Sequence, residues 1–155
     1  MPESVELVAL DSANRDAVVG LTRAKSQERF GPSVADGLAL ELAPPSKYAV
    51  ALEPWSRVVV ADGTPVGYVL GWRHTAAHPN PVIEVLVIDR WHTGRGIEVA
   101  AIGQVADWFG HAGADNLEVH WTEGPGSPKW IYEGCGFEAT GRTRNAGVQA
   151  LKPLS

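Results

Sequence analysis

At 155 residues the chain has the length of one domain and is short for two. Hydrophobic residues make up 45% and charged residues 20%, which excludes a disordered chain. Lys and Arg number 13 against 18 Asp and Glu; at a net charge of -5, a nucleic-acid backbone is repelled and is not an expected partner. The single cysteine, Cys135, excludes both a disulfide framework and a cysteine-based zinc site. No apolar run approaches a membrane span, and the first residues lack a secretory pattern. The expectation is one acidic domain, cytoplasmic, with no membrane partner.

Val5 to Ala9 reads as a short strand. Asp11-Ser12-Ala13-Asn14 supplies caps for a helix through Ala17, Val18 and Leu21. Gly31-Pro32 interrupts the chain, Ser33 caps a second helix carrying Val34, Leu38 and Leu42, and Pro44-Pro45 ends it. The period then changes. Arg57 to Ala61, the turn Asp62-Gly63 and Val66 to Trp72 form a hairpin signature. Val82 to Ile88 is almost wholly apolar, as a central strand buried on both faces would be.

From Gly96 the pattern is helical again, with Ile97, Ala100, Ala101, Val105 and Trp108 at spacings of three and four and Gly113 closing the helix. Leu117 to Trp121 is a strand and Ser127 to Glu133 a short helix. Gly136 to Gly141 and Gly147 to Lys152 are the last two strands. This is a mixed α/β (α+β) order, so its sheet cannot be all parallel.

Thr93-Gly94-Arg95-Gly96-Ile97-Glu98 joins the buried strand to the amphipathic helix. A glycine turn at a helix N-terminus gathers N–H groups into an anion cradle, and Arg95 adds a charge. The plainer reading is a connection that merely needs glycines. A P-loop would require Gly-Lys-Ser/Thr, which is missing, and a Rossmann fingerprint would require glycine where Val99 stands.

Leu86-Val87-Ile88-Asp89 followed by Thr93-Gly94-Arg95-Gly96-Ile97 resembles the acetyl-CoA loop, Gln/Arg-x-x-Gly-x-Gly/Ala, of the GNAT N-acetyltransferase superfamily. Ile131-Tyr132-Glu133-Gly134-Cys135-Gly136-Phe137 resembles that family's Leu-Tyr-Glu-Lys-x-Gly-Phe segment, with Thr140-Gly141 behind it. The resemblance is clear over residues 57–141. Gln27-x-x-Phe30 and Gly63-x-Pro65-Val66-Gly67 are similar, more weakly, to the bacterial diamine and polyamine acetyltransferases.

The resemblance implies a single GNAT-like domain over residues 1–155, a central mixed sheet with helices on both faces, and acetyl-CoA as cosubstrate without a metal. It implies that Leu86, Val87 and Ile88 lie beside the pantetheine arm. Thr93, Gly94, Arg95, Gly96, Ile97, Glu98 and Val99 would hold the pyrophosphate. Tyr132 would protonate the departing sulfur, and Gln27, Glu28 and Phe30 would line the acceptor side. The acceptor implied is a small primary amine, with polyamines the class that the weaker similarity names.

Two positions depart from the pattern: Thr93 replaces Gln or Arg, and Glu98 replaces the small residue that lets pyrophosphate approach. A carboxylate there either points away, favouring the helix dipole, or opposes the phosphates. Pro125-Gly126-Ser127-Pro128 stands where the family has an asparagine, and Trp91 and His92 make the approach bulky. A second reading therefore stands beside acetyl transfer: a GNAT fold with a degenerate CoA site, acting as a binding protein or a CoA-independent enzyme. A nucleotide-binding regulator using the same turn is the third.

Glu84 is the only charge in the central strand, on the same face as Val82 and Leu86 by simple alternation, and is the first candidate base. A water is the alternative base, and His120 on the next strand is a second candidate. Of six tryptophans, Trp72 and Trp121 end strands and could wall a cationic amine, whereas Trp108 has core spacing. His74 and His78 have ligand spacing but fall at a strand end and loop with no third ligand, so no metal is expected. Cys135 reads as a structural thiol. The sheet edge or the C-terminal strands offer a surface for a homodimer.

Overall fold

The computed structural model describes residues 4–21, 34–42, 52–89, 96–123, 127–144 and 147–154. Gln27, Glu28, Phe30, Trp91, His92, Thr93, Gly94 and Arg95 lie outside these described residues. Among the described residues seven strands form one sheet: β1 (Val5–Ala9), β2 (Pro54–Ala61), β3 (Thr64–Trp72), β4 (Val82–Ile88), β5 (Asn116–Trp121), β6 (Glu138–Arg144) and β7 (Gly147–Pro153), in the order β1-β2-β3-β4-β5-β7-β6. Only β4 and β5 pair in parallel, because α3 (Ile97–His111) crosses between them. Every other neighbouring pair is antiparallel.

Local chemistry sets most of these elements. Asp11 accepts the backbone N–H of Asn14 at 2.9 Å while Asn14 Oδ1 accepts that of Asp11 at 2.9 Å, a capping box that starts α1 (Ser12–Val19). Asp62 (φ 49°) and Gly63 (φ 83°) both take left-handed backbone, the geometry a two-residue hairpin between β2 and β3 demands. Pro128 caps α4 (Lys129–Gly134), so that helix starts two residues later than the sequence suggests. After it Gly136 (φ 97°) turns the chain, which delays β6 to Glu138.

Helices cover both faces of the sheet. α1 and α2 (Val34–Leu42) contribute Val18, Val34 and Leu38 to a core shared with Val58, Tyr68, Leu70, Trp72, Val85 and Val87. α3 and α4 cover the other face, packing Ile102, Val105, Phe109 and Tyr132 against Trp55, Val69, Ile83, Leu117, Val119 and Trp121. α2 is also held by polar contacts: the Tyr68 hydroxyl donates to Glu41 Oε2 at 2.6 Å, and the Ser56 hydroxyl donates to Oε1 at 2.8 Å. Trp108 departs from the expected core position. It lies at the rim, 36% exposed, its ring 5.2 Å from that of Trp55, with the Arg57 and Arg73 guanidiniums 5.6 and 5.2 Å from its centre.

Strand β4 carries a feature that its nearly all-apolar sequence conceals. Leu70 pairs with Val85 and Gly71 with Ile83, so Glu84 is an extra residue with no partner on β3, a β-bulge. The bulge breaks the alternation that would place Glu84 with Val82 and Leu86. Val82, Val85 and Val87 face the α1/α2 side, whereas Ile83, Leu86 and Ile88 face α3. Beneath this strand Gly67 permits a close approach: a Cβ there would lie 2.5 Å from Ile88 Cδ1 and 2.6 Å from the Val87 carbonyl oxygen.

Candidate active site

The two parallel strands meet only briefly. Val82 pairs with Glu118, and the Glu118 N–H donates to the Pro81 carbonyl at 2.9 Å; among the described residues no further ladder pair joins β4 to β5. Past that junction the strands part, and the second half of β4 borders a gap. The Asp89 N–H donates to the Val66 carbonyl on β3 at 2.7 Å. Alternation along a strand then turns the N–H groups of Ile88 and Leu86 toward the gap. These main-chain donors need a partner from outside the sheet.

The helix that follows β4 begins at the same end of the sheet, for Ile88 and Ile97 pack in one apolar cluster. Gly96 takes φ 78° at the start of α3, and Ala100 makes the first bond of the helix, to the Gly96 carbonyl at 3.1 Å. The N–H groups of Ile97, Glu98 and Val99 have no acceptor within the helix, and the positive end of the dipole lies there. Glu98 sits half-buried in this first turn, Val99 is exposed, and Ile97 is buried. The arrangement suits an anion in its backbone donors and opposes it in one side-chain charge.

On the α3/α4 side of the gap lie aromatic rings. Tyr132 stands nearly parallel to Trp121, 6.2 Å and 11° apart, and edge-on to Phe137 at 5.4 Å. Burial, assisted by the neighbouring Cys135, pushes the Tyr132 hydroxyl far above its ordinary value, so it keeps its proton throughout the neutral range. Trp121 is itself buried, and its indole nitrogen has no hydrogen-bond partner among the described residues. It supports Tyr132 and presents no open face to an amine. Cys135 is half-buried and free; burial raises its thiol despite the opposing Lys152, so it is protonated and inert, as a structural thiol would be.

The α1/α2 side of the same gap is polar. Alternation in β5 sends Leu117, Val119 and Trp121 into the aromatic core and Glu118 and His120 the other way. Glu118 is 2% exposed, and its Oε2 comes within 2.8 Å of His120 Nε2, a contact too bent for an aligned hydrogen bond. Burial alone would raise the Glu118 carboxyl; His120, Gln149 and His78 outweigh it and hold the carboxyl below its ordinary value. Gln149, opposite His120 on β7, accepts the Thr140 hydroxyl at 2.8 Å through Oε1. Glu84 accepts the indole N–H of Trp72 at 3.2 Å. Trp72 is wholly buried, so it orients Glu84 and does not wall a substrate.

Glu84 and His120 each lie two residues past the Val82–Glu118 pair, on β4 and β5, while Trp121 and Tyr132 pack against each other on the opposite face. His78 binds the Asn80 carbonyl through Nδ1 at 2.9 Å, while His74 lies edge-on to Phe109, so the two do not act as a pair. Sequence reasoning overlooked Glu118. Its signal was available: an acidic residue two before a histidine, alternating with Leu117, Val119 and Trp121.

The profile of the Acetyltransferase (GNAT) family matches residues 15–137. The chain belongs to the GNAT acetyltransferase family. Solved GNAT structures share its fold at low identity. An aminoglycoside 6'-N-acetyltransferase complexed with coenzyme A aligns at a TM-score of 0.71 and 14% identity, covering 98% of this chain and 97% of that one. A spermidine N-acetyltransferase chimera from Vibrio cholerae aligns at 0.66 and 18%, covering 97% and 95%. An acetyltransferase from Thermus thermophilus aligns at 0.66 and 18%, covering 99% and 100%. No curated protein matches the sequence. Among the described residues no helix is long and apolar enough to cross a membrane.

Proposed function

We propose that this GNAT protein transfers an acetyl group from acetyl-CoA to a small primary amine, directly, within one ternary complex. The observation that carries this reading is the single-pair junction of β4 and β5, aromatic on one face and charged on the other. Acetyl transfer must expel a thiolate and receive an amine that loses a proton, and the junction offers different chemistry for each. The first turn of α3, from Gly96 to Val99, holds the diphosphate with backbone N–H groups, joined by Thr93, Gly94 and Arg95. The N–H of Ile88, turned to the gap, polarises the thioester carbonyl, with Leu86 and Val87 beside the pantetheine arm.

Tyr132 faces the departing sulfur. A thiol ionises near 8.5, well below this hydroxyl, so complete proton transfer from Tyr132 is uphill. Its contribution is a hydrogen bond donated to the sulfur as the C–S bond breaks. The amine approaches from the polar side, where Glu84 and His120 stand ready for its proton and negative charge favours a cationic acceptor. Gln27 and Phe30 complete the acceptor side in this reading. Similarity to a spermidine acetyltransferase and to aminoglycoside acetyltransferases supports an amine as the acceptor class.

Calorimetric titration with acetyl-CoA, beside a CoA control, tests the proposal, followed by an amine screen. Micromolar binding is expected. Silence up to millimolar concentration would sink acetyl transfer. It would favour the second reading, a GNAT fold whose CoA site has been closed by the half-buried Glu98.

A further inference from the structure

We propose that His120 is the group that takes the amine's proton and that Glu118 is its positioning residue; the assignment rests on the acetyl-transfer reading above. The parallel pair Val82–Glu118 fixes the level of each side chain along the gap. His120 lies two residues past the junction, level with the bulge residue Glu84, where the strands have begun to part. Glu118 lies at the closed end, inside the protein. A carboxylate that is 2% exposed needs partners, and this one is built around. Thr140 occupies Gln149 Oε1, which leaves the amide NH2 of Gln149 for the carboxylate, and His120 Nε2 approaches from the same strand at 2.8 Å.

The pair has the logic of a base and its orienting acid. A buried carboxylate beside Nε2 favours the tautomer that carries its proton on that nitrogen, leaving the Nδ1 lone pair as the acceptor. It also stabilises the imidazolium formed when the proton arrives. The acceptor arrives as an ammonium and first gives one proton to water; as the neutral amine nitrogen then bonds to the acetyl carbon and the C–S bond breaks, a second N–H proton passes to His120 Nδ1. The thiolate departs with the Tyr132 hydrogen bond, and the imidazolium later returns its proton to water. Glu84 is committed differently, to the Trp72 indole on the bulge. Among the described residues, the titratable groups that act on Glu118 are His120 on its own strand and His78 before β4, and Glu84 stands on β4 at the other border of the gap. β7 adds the uncharged Gln149.

The test measures acetyl transfer to spermidine, putrescine and kanamycin across pH, with wild-type protein, His120→Gln, His120→Ala, Glu118→Gln and Glu84→Gln. His120→Gln is expected to lower kcat by about 100-fold, leave the acetyl-CoA KM within about twofold and erase the rise of kcat/KM on the acid side. Added imidazole should restore part of the rate to His120→Ala. Glu118→Gln should lower kcat while leaving the acetyl-CoA KM within about twofold, a split that mere loosening of the fold does not produce. Turnover within threefold in His120→Gln, or a limb that disappears in Glu84→Gln and survives in His120→Gln, overturns the assignment alone. Absence of transfer by the wild-type protein to all three amines overturns the acetyl-transfer reading, and the assignment falls with it.

Discussion

The two faces of the β4–β5 junction share one six-residue strand, yet they are opposites. Toward α3 and α4, β5 presents Leu117, Val119 and Trp121, and the face is closed by stacked rings. Toward α1 and α2 it presents Glu118 and His120, one buried and one reaching the surface. The difference shows how the alternation of one strand puts the Trp121 ring that backs Tyr132 of α4 on one face and His120 on the other. On the dry side a hydroxyl cannot ionise; on the polar side a carboxylate cannot be neutralised near neutral pH.

The contrast can be broken most severely from the aromatic side. Trp121→Ala removes the ring against Tyr132 and should cost about 3–5 kcal/mol of folding stability, read by denaturant unfolding. Tyr132→Phe keeps the packing and removes only the donor. It should reduce kcat by about 100-fold, roughly 2.7 kcal/mol of barrier, with acetyl-CoA affinity unchanged. Unchanged turnover would remove the donor role. Glu98→Gly tests the end of the gap that neither face controls. Acetyl-CoA affinity should rise by several-fold, about 1 kcal/mol, as a partly solvated charge leaves the diphosphate's neighbourhood.

The smallest effect is on stability against pH, and it has opposite signs on the two sides. The Glu118 carboxyl lies below its ordinary value in the fold, so its stabilisation is present above that ordinary value and is lost as pH falls through the folded one. Tyr132 lies above its ordinary 10.0, so its stabilisation holds below pH 10 and drains away as pH rises beyond it. Thermal melts across pH should show Glu118→Gln flattening the acid side and Tyr132→Phe the alkaline side. Crossed results would reverse the assignment of the two faces.

Much of this was legible in the residues. The Asp11–Asn14 cap, the Asp62-Gly63 hairpin and the buried run Val82–Ile88 each carry their cause in local chemistry, and the structure keeps them. The family pieces around Gly96 and Tyr132 pointed to the fold that the family match shows. What stayed hidden depends on partners far away in sequence. An apolar strand reads alike in either register, so the bulge at Glu84 could not be inferred from Val-Ile-Glu-Val-Leu-Val-Ile. Trp72 and Trp121 looked like cleft walls because they end strands, but the helices that cover them do not follow from strand position. Glu118 owes its role to Gln149 on β7, a partner that no local pattern in the strand announces.

The bulge has a consequence for how this chain tolerates editing. An extra residue in a strand acts like a frame-shift that has already been corrected: Val82 and Ile83 before it, and Val85 to Ile88 after it, keep a consistent inside and outside only if Glu84 is skipped. Excising that one codon would leave every apolar side chain of the strand on its present face. The sheet would lose its kink and keep its core. Swapping Glu84 for another residue changes a charge, whereas deleting it would straighten the edge of the gap, so the shape of this site and the packing of this sheet are separable in a single edit.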